Sequence, residues 1–280
     1  VWGIKETLVR ASGMFALASW DRQTFELTLA RDRFGEKPLY YGWQGAGEER
    51  VFIFGSELKA LQTHPAFIKE INRGALSLLL RHSTIPAPYS IYQGIYKLLP
   101  GNLLTVSIAQ PNPIISSYWS VEQAIAKCSS HRFMGSSEQA VDALEILLKD
   151  AIKKQMMADV PLGAFLSGGV DSSTVVALMQ AQSSQAIKTF SIGFNESGYN
   201  EAEYASAVAK HLGTDHTELY VTAEQAMAVI PLLPMIYDEP FADSSQIPTF
   251  LVSQLAKQQV SVSLSGDAGD ELFCGYNRYK

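Results

Sequence analysis

The sequence predicts a chain of two unlike parts, an antiparallel β-rich first half and an α/β second half built on a parallel sheet. Three observations carry this. From residue 13 to about residue 113, short stretches alternate apolar and polar residues and are joined by turns. From about residue 137 onward, nearly continuous apolar strands alternate with helical segments, the pattern of a sheet covered on both faces. Within that second part, between a strand and a helix, lies Ser167-Gly168-Gly169-Val170-Asp171-Ser172-Ser173. A bland turn does not need three serines and an aspartate around two adjacent glycines.

At 280 residues the chain has the length of two domains. Its 47% apolar and 18% charged residues are those of an ordinary globular protein. The net charge of −6 argues against a nucleic-acid binder relying on a basic surface, but leaves room for an anion site made of a few placed groups. No apolar run approaches the ~20 residues of a membrane-spanning helix, and Val1 to Lys5 lack the features of a signal peptide. Cys128 and Cys274 form neither a disulfide framework nor a metal-spaced pair; they read as small packing residues in a reducing, cytoplasmic setting. The chain lacks an initiator Met and stops at Lys280 directly after a motif, so it is expected to be a piece of something longer.

Taken in order, 13–20 and 25–30 read as strands around a turn at Asp21-Arg22-Gln23, and 38–43 and 51–54 as two more around a loop at 45–50. Ser56 is placed to cap a short helix at 57–61, and Asn72 to cap a Leu-rich helix at 73–82. A Pro-punctuated connector over 85–95, a turn at Leu99-Pro100-Gly101-Asn102 and a strand at 103–108 close the first part. Arg31-Asp32-Arg33-Phe34-Gly35-Glu36-Lys37-Pro38 reads, on physics alone, as a charged solvent-facing turn.

The domain limits are set at 1–113 and 137–280, with 114–136 as linker. Ser136 or Ser137 caps a helix over about 138–157, with Ala140, Leu144, Leu147, Leu148 and Ile152 on one stripe. Strands follow at 162–166, 188–194, 217–221 and 260–264, and helices after the glycine turn, at 202–211 and at 248–257. Ligands of such sheets bind beyond the carboxyl ends of the strands, which singles out three places. The first is the glycine turn, where backbone N–H groups at a helix N-terminus make an anion site. The second is the 190–194 strand end, where Ile192 serves an adenine ring, the core, or both. The third is Ser265-Gly266-Asp267-Ala268-Gly269-Asp270-Glu271, three carboxylates in five residues that call for a cation or for water.

These motifs carry a resemblance. The S-G-G-x-D-S stretch resembles the pyrophosphate loop of enzymes that split ATP into AMP and pyrophosphate. G-M-F-A…W-D, R-D-R-F-G-E-K-P-L-Y-Y and F-G-S-E-L-K-A-L in the first half, with S-G-D-x-G-D-E-L-F-x-G-Y-N-R-Y in the second, are similar in order to the glutamine-hydrolysing asparagine synthetase family. The fold this implies is an N-terminal-nucleophile glutaminase part with antiparallel sheets, then an α/β parallel-sheet ATP-pyrophosphatase domain of the adenine nucleotide α-hydrolase type. The implied reaction is amidation of L-aspartate through β-aspartyl-AMP, with ATP and Mg²⁺ as cofactors and glutamine-derived or free ammonia as nitrogen donor. The family's catalytic cysteine is expected upstream of Val1.

Carried over residue by residue, Leu166, Ser167, Gly168, Gly169, Asp171, Ser172, Ile192, Ser265 and Gly266 bind ATP, and Asp267 serves β-aspartyl-AMP formation. Asp171 and Asp270 reach Mg²⁺, and Ser12 stands at a glutamine-binding position where some relatives carry Asp. Ala268 and Cys274 stand where relatives mostly carry glycine, and would strain the loop if the backbone there needs positive φ. Asp238-Glu239-Pro240-Phe241-Ala242-Asp243-Ser244-Ser245 is similar to the D-E-P-x-x-D-x-S stretch lining the family's substrate side. The expected partners are small molecules, without nucleic acid or membrane, in a homodimer. Two other readings fit the sequence: an amidotransferase acting on another carboxylate, such as a sugar acid or a β-lactam precursor, and a non-catalytic nucleotide-binding fragment.

Overall fold

The structure is a computed structural model that describes residues 2–130, 132–194 and 201–276; Asn277, Arg278 and Tyr279 of the last motif lie outside these residues. Two units are present. One comprises Val1–Arg132 together with Pro234–Asp243, the other Phe133–Leu233 together with Ser244–Lys280.

The first unit begins with α1 (Ile4–Arg10), which the sequence reading did not include, and then builds two antiparallel sheets. β1 (Ala16–Asp21) and β2 (Glu26–Arg31) pair with Ala16 opposite Arg31 and Asp21 opposite Glu26. The Asp21 carboxylate closes their turn by accepting the N–H of Gln23 at 2.7 Å. β3 (Tyr40–Gln44), β4 (Val51–Gly55) and β5 (Ile95–Lys97) form a second sheet in the order β4-β3-β5. β6 (Asn102–Ser107) and β7 (Ile114–Ser117) extend the first to β1-β2-β6-β7. Leu29, Leu104 and Val106 of one sheet pack with Tyr41 of the other and with Leu39 and Leu98. β7 and α4 (Val121–Ser129) occupy the stretch read as linker. Both are short and lie mostly exposed, and α4 is announced mainly by Ser120, whose hydroxyl accepts the Gln123 N–H.

The 31–38 segment is solvent-facing at Phe34 and from Glu36 to Pro38, but it is anchored by two charged residues turned inward. Asp32 is 1% exposed, and its carboxylate accepts the N–H groups of Phe15, Glu36 and Lys37 at 3.2, 2.9 and 3.0 Å. The Arg31 guanidinium donates to the carbonyls of Gly35, Lys37 and Leu98 at 2.5, 3.0 and 2.7 Å. The charges of Asp32 and Arg31 are satisfied by backbone, those of Glu36 and Lys37 face water, and periodicity carries no signal for that division.

α2 (Leu58–Leu61) is not capped by Ser56. Its N-cap residue is Glu57, which makes no side-chain cap, and the Leu58 N–H is accepted at 2.5 Å by Asp238, 180 residues away. α3 (Arg73–His82) starts as expected, with Asn72 accepting the Ala75 N–H at 3.1 Å.

The second unit is α/β. α5 (Ser137–Gln155) opens on a capping box between Ser136 and Gln139. Its expected apolar stripe is only partly covered: Leu144 is 37% and Leu147 67% accessible, Ala140 and Leu148 are half-buried, and Ile152 alone is buried. Only the C-terminal end of α5 joins the core, where Ile152 and Met156 meet Ala164, Leu166, Val176 and Met179. β8 (Leu162–Phe165), α6 (Val170–Gln180), β9 (Lys188–Phe194), α7 (Ala202–Leu212) and β10 (Asp215–Val221) follow. After α8 (Ala223–Val229) the chain runs through α9 (Leu233–Ile236), all but its first residue counted with the first unit, and returns for α10 (Gln246–Lys257), β11 (Val262–Leu264) and α11 (Gly269–Phe273).

The four strands form a parallel sheet in the order β10-β9-β8-β11, as the apolar pattern predicts. Phe190 on β9, fully buried, packs against Val252, Leu255 and Ala256 of α10. Neither cysteine is a packing residue: Cys128 and Cys274 are both free and exposed. Among the described residues, no helix is long and apolar enough to cross a membrane.

Candidate functional site

β8 and β11 are neighbours and parallel, with Leu162 opposite Val262 and Ala164 opposite Leu264. Their carboxyl ends therefore deliver residues 166–172 and 265–271 to one end of the sheet. Leu166, 1% exposed, is fixed by its N–H donating to the Phe190 carbonyl of β9 at 2.9 Å. Ser167 is exposed, and the chain turns at Gly168, whose φ of 81° lies in the left-handed region. A side chain at Gly168 would also run into Tyr204 and Ala205, its Cβ standing 2.6 Å from Tyr204 Cβ and 2.7 Å from the Ala205 nitrogen.

Two hydroxyls hold the loop. Ser172 Oγ accepts the Ser167 N–H at 3.2 Å and lies 2.9 Å from Ser167 Oγ, which accepts the Gly169 N–H at 3.3 Å. Ser172 is buried, so it buttresses the turn from beneath. Gly169 is the N-cap of α6 and supplies no side-chain cap; a Cβ there would meet only Ser167 Oγ, at 3.3 Å. The N-terminus of an 11-residue helix is thus left without a capping side chain at an exposed glycine, which suits close approach of a phosphate.

The second loop lies against the first. A Cβ on Gly266 would stand 2.7 Å from the Ser172 nitrogen and 3.0 Å from Asp171 C; one on Gly269 would overlap the Asp171 carboxylate. Ser265 Oγ accepts the Asp267 N–H at 3.4 Å, and the Gly269 N–H donates to the Gly266 carbonyl at 3.2 Å. Asp267 and Glu271 are exposed and Asp270 half-buried, so water screens much of the repulsion that the spacing implies. Ala268 and Cys274 adopt φ of 72° and 58°, the left-handed conformation in which their side chains are unfavourable.

The structure thus brings Leu166, Ser167, Gly168, Gly169, Asp171, Ser172, Ser265, Gly266, Asp267 and Asp270 to one end of the sheet. Ile192 lies toward the same end of β9, half-buried among Phe190, Leu219, Val221 and Val252, which is chiefly a core position. Ser12, in the other unit, is exposed. Among the described residues, no three His, Cys, Asp or Glu side chains converge as a metal cage. Two carboxylates plus phosphate oxygens are a usual Mg²⁺ environment. Asp171 lies over Gly269 and Asp270 follows it in the chain, so the donor set fits that requirement.

The Asp238-Glu239 carboxylates, expected on a substrate side, are engaged within the first unit. Asp238 accepts from Leu58 N–H and stands 3.3 Å from Lys59 Nζ; Glu239 accepts from Ile91 N–H at 2.7 Å and pairs with Lys97. With Tyr40, Thr84, Tyr237, Pro240 and Phe241 they line a cavity of about 190 Å³. Burial, with both carboxylates nearby, raises the Tyr40 phenol well above its ordinary pKa. Sequence reasoning missed these contacts; the only local sign is an acidic pair beside a proline.

Residues 143–280 match the asparagine synthase family model and residues 1–119 that of the glutamine amidotransferase domain. The chain is 38% identical over 268 residues to a Methanocaldococcus jannaschii protein provisionally named glutamine-hydrolysing asparagine synthetase 2, covering 95% of this chain and 50% of that protein. It is 33% identical over 276 residues to glutamine-hydrolysing asparagine synthetase 1 of Bacillus subtilis, covering 99% of this chain and 42% of the relative. A Mycobacterium tuberculosis protein with the same provisional name is 36% identical over all 280 residues, which make up 42% of its length. The chain spans about half the length of the curated relatives it matches. With both family models in the same order as the two kinds of sheet, the chain belongs to the glutamine-hydrolysing asparagine synthetase family.

Proposed function

We propose that this chain carries the nucleotide site of a cytoplasmic ATP-dependent amidating enzyme that makes L-asparagine from L-aspartate. One observation carries the reading: the acidic 265–271 loop packs onto the glycine loop at the uncapped start of α6. A phosphate-binding turn and a carboxylate loop held in contact are what adenylation of a carboxylate requires. The phosphates lie against Ser167, Gly168, Gly169 and the first turn of α6, with Leu166, Ile192, Ser265 and Gly266 toward the nucleoside. Bound Mg²⁺ supplies charge neutralisation on the phosphates, with Asp171 and Asp270 as its holders.

The aspartate β-carboxylate oxygen attacks the α-phosphorus and the bond to pyrophosphate breaks. Ammonia then attacks the acyl carbon, AMP leaves with the bonding electrons, and the surplus proton goes to water. The protein's part is mainly to position the two reactants and to place dipoles where charge develops. Asp267, exposed beside Ser265, is the side chain assigned to adenylate formation. Glutamine as nitrogen source, with Ser12 near its α-amino group, belongs to the whole protein.

The experiment is ATP–pyrophosphate exchange with L-aspartate, run on the complete enzyme and on its Asp267→Asn variant, with melting temperature and ATP affinity measured on the same preparations. The expected result is aspartate-dependent exchange in the parent, and its suppression in Asp267→Asn with folding and ATP binding nearly intact. Exchange dependent on another carboxylate would replace the acceptor. ATP binding without exchange for any acceptor would reduce the chain to a nucleotide binder and overturn the reading.

A further inference from the structure

Gly269 is a glycine without a backbone reason. Its φ lies outside the left-handed region, whereas Ala268 and Cys274, which bracket it, carry side chains at φ of 72° and 58°. This loop places side chains where the backbone favours glycine, and glycine where any residue would fit. What Gly269 supplies is space, and Asp171 fills it. A Cβ on Gly269 would overlap the Asp171 carboxylate, standing 2.5 Å from its Cγ and 2.9 Å from its Cβ. Rotation about χ1 could move the carboxylate away, but Asp171 Cβ is fixed to the first turn of α6. A methyl at 269 therefore forces a new Asp171 rotamer, with residue 269 itself giving way from the Asp171 Cβ.

The second carboxylate is seated in the same way. A Cβ on Gly275, also outside the left-handed region, would overlap Asp270 Oδ1 and lie 3.0 Å from its Cγ. Two aspartates of one loop pair are thus each laid over a glycine whose backbone does not call for one.

We propose that Gly269 is a positioning residue: by presenting no side chain it sets the conformation of the Asp171 carboxylate, and through it the affinity of the site for metal-complexed nucleotide. This rests on the ATP reading above. Gly275 does the same for Asp270. The proposal makes the two glycines specific to the metal complex, because the hydrogen bonds that hold the glycine turn, from the Ser167 and Gly169 N–H groups, involve neither aspartate.

The test uses the 280-residue chain in four forms: parent, Gly269→Ala, Asp171→Asn and the double variant. Calorimetric titration with ATP is run once with excess Mg²⁺ and once with EDTA, beside thermal melting and a crystal structure of Gly269→Ala. The expected result is a loss of about tenfold in Mg·ATP affinity for Gly269→Ala, the scale of one charge-assisted contact. ATP affinity in EDTA should stay within about twofold, and the substitution should add almost nothing on top of Asp171→Asn, as coupled residues do. Equal losses with and without Mg²⁺, or losses that add in the double variant, would show a general loop defect and overturn the proposal. A parent that binds no ATP in either condition sinks the nucleotide reading instead. In that case the crystal structure still decides the geometry: an unchanged Asp171 rotamer in Gly269→Ala overturns the positioning role.

Discussion

Lys97 and Glu239 form an ion pair inside the first unit, with the Glu239 side chain 9% exposed and its second oxygen accepting the Ile91 N–H at 2.7 Å. Lys97 also donates to the Ile85 carbonyl at 2.7 Å. A ten-residue segment from late in the chain thus completes a unit formed mostly by residues 1–132. Breaking a buried pair by removing one partner costs about 3–5 kcal/mol, because the other charge is left desolvated. Lys97→Met should therefore destabilise the first unit by about 3 kcal/mol, and adding Glu239→Gln should recover part of the loss. All four tryptophans (Trp2, Trp20, Trp43 and Trp119) lie in this unit, so urea unfolding followed by tryptophan fluorescence isolates it. An unchanged midpoint in Lys97→Met would mean that the pair contributes nothing.

Asp32 gathers three backbone N–H groups in a site closed to water. Asp32→Ala strands all three donors, and each buried unsatisfied group costs about 1–3 kcal/mol. A loss of about 3 kcal/mol or more is expected in the same fluorescence assay, with Asp32→Asn losing less because one amide oxygen still accepts. Parent-like stability in Asp32→Ala would show that the turn is held by other contacts.

His216 makes the second unit sensitive to acid. Its ring lies between the Thr189 hydroxyl, 2.8 Å from Nδ1, and the Ser191 hydroxyl, 3.2 Å from Nε2. Thr214 touches Thr189, and Glu218 stands 3.7 Å from Nε2. Burial lowers its pKa, outweighing the opposing pull of Glu218 and the Thr189 contact. The folded state therefore prefers neutral imidazole, and the unfolded chain binds the extra proton as pH falls below the ordinary value of 6.5. Stability of the second unit should be constant above that pH and decline below it, until the folded-state pKa is reached. His216→Gln should flatten that part of the profile. Amide hydrogen exchange of β9 and β10 between pH 7.5 and 5 provides the readout; an unchanged slope in the variant refutes the assignment.

Ala268 and Cys274 predict a gain. Each holds a left-handed backbone that costs a side-chain-bearing residue about 1–2 kcal/mol, against roughly 0.5–1 kcal/mol of extra unfolded-state entropy for glycine. Ala268→Gly and Cys274→Gly should each stabilise the α11 region by about 0.5 kcal/mol, visible as slower amide exchange there. Faster exchange in both would mean that other contacts offset the strain.

The sequence by itself determined the class of each half, because strand alternation and near-continuous apolar strands are local patterns that burial imposes on a chain. It also determined the strand–turn–helix at 162–180, since Gly168-Gly169 and the hydroxyls around them have a local conformational cause. Positive φ at Ala268 and Cys274 could be anticipated from position within a motif. Only the tertiary structure decided the rest. Asp238 caps a helix 180 residues earlier, Gly269 makes room for Asp171 of another loop, and Asp32 is buried under backbone donors rather than solvated. Each of these depends on a partner distant in sequence, and a one-dimensional pattern records which residues are apolar but not which polar group another will meet.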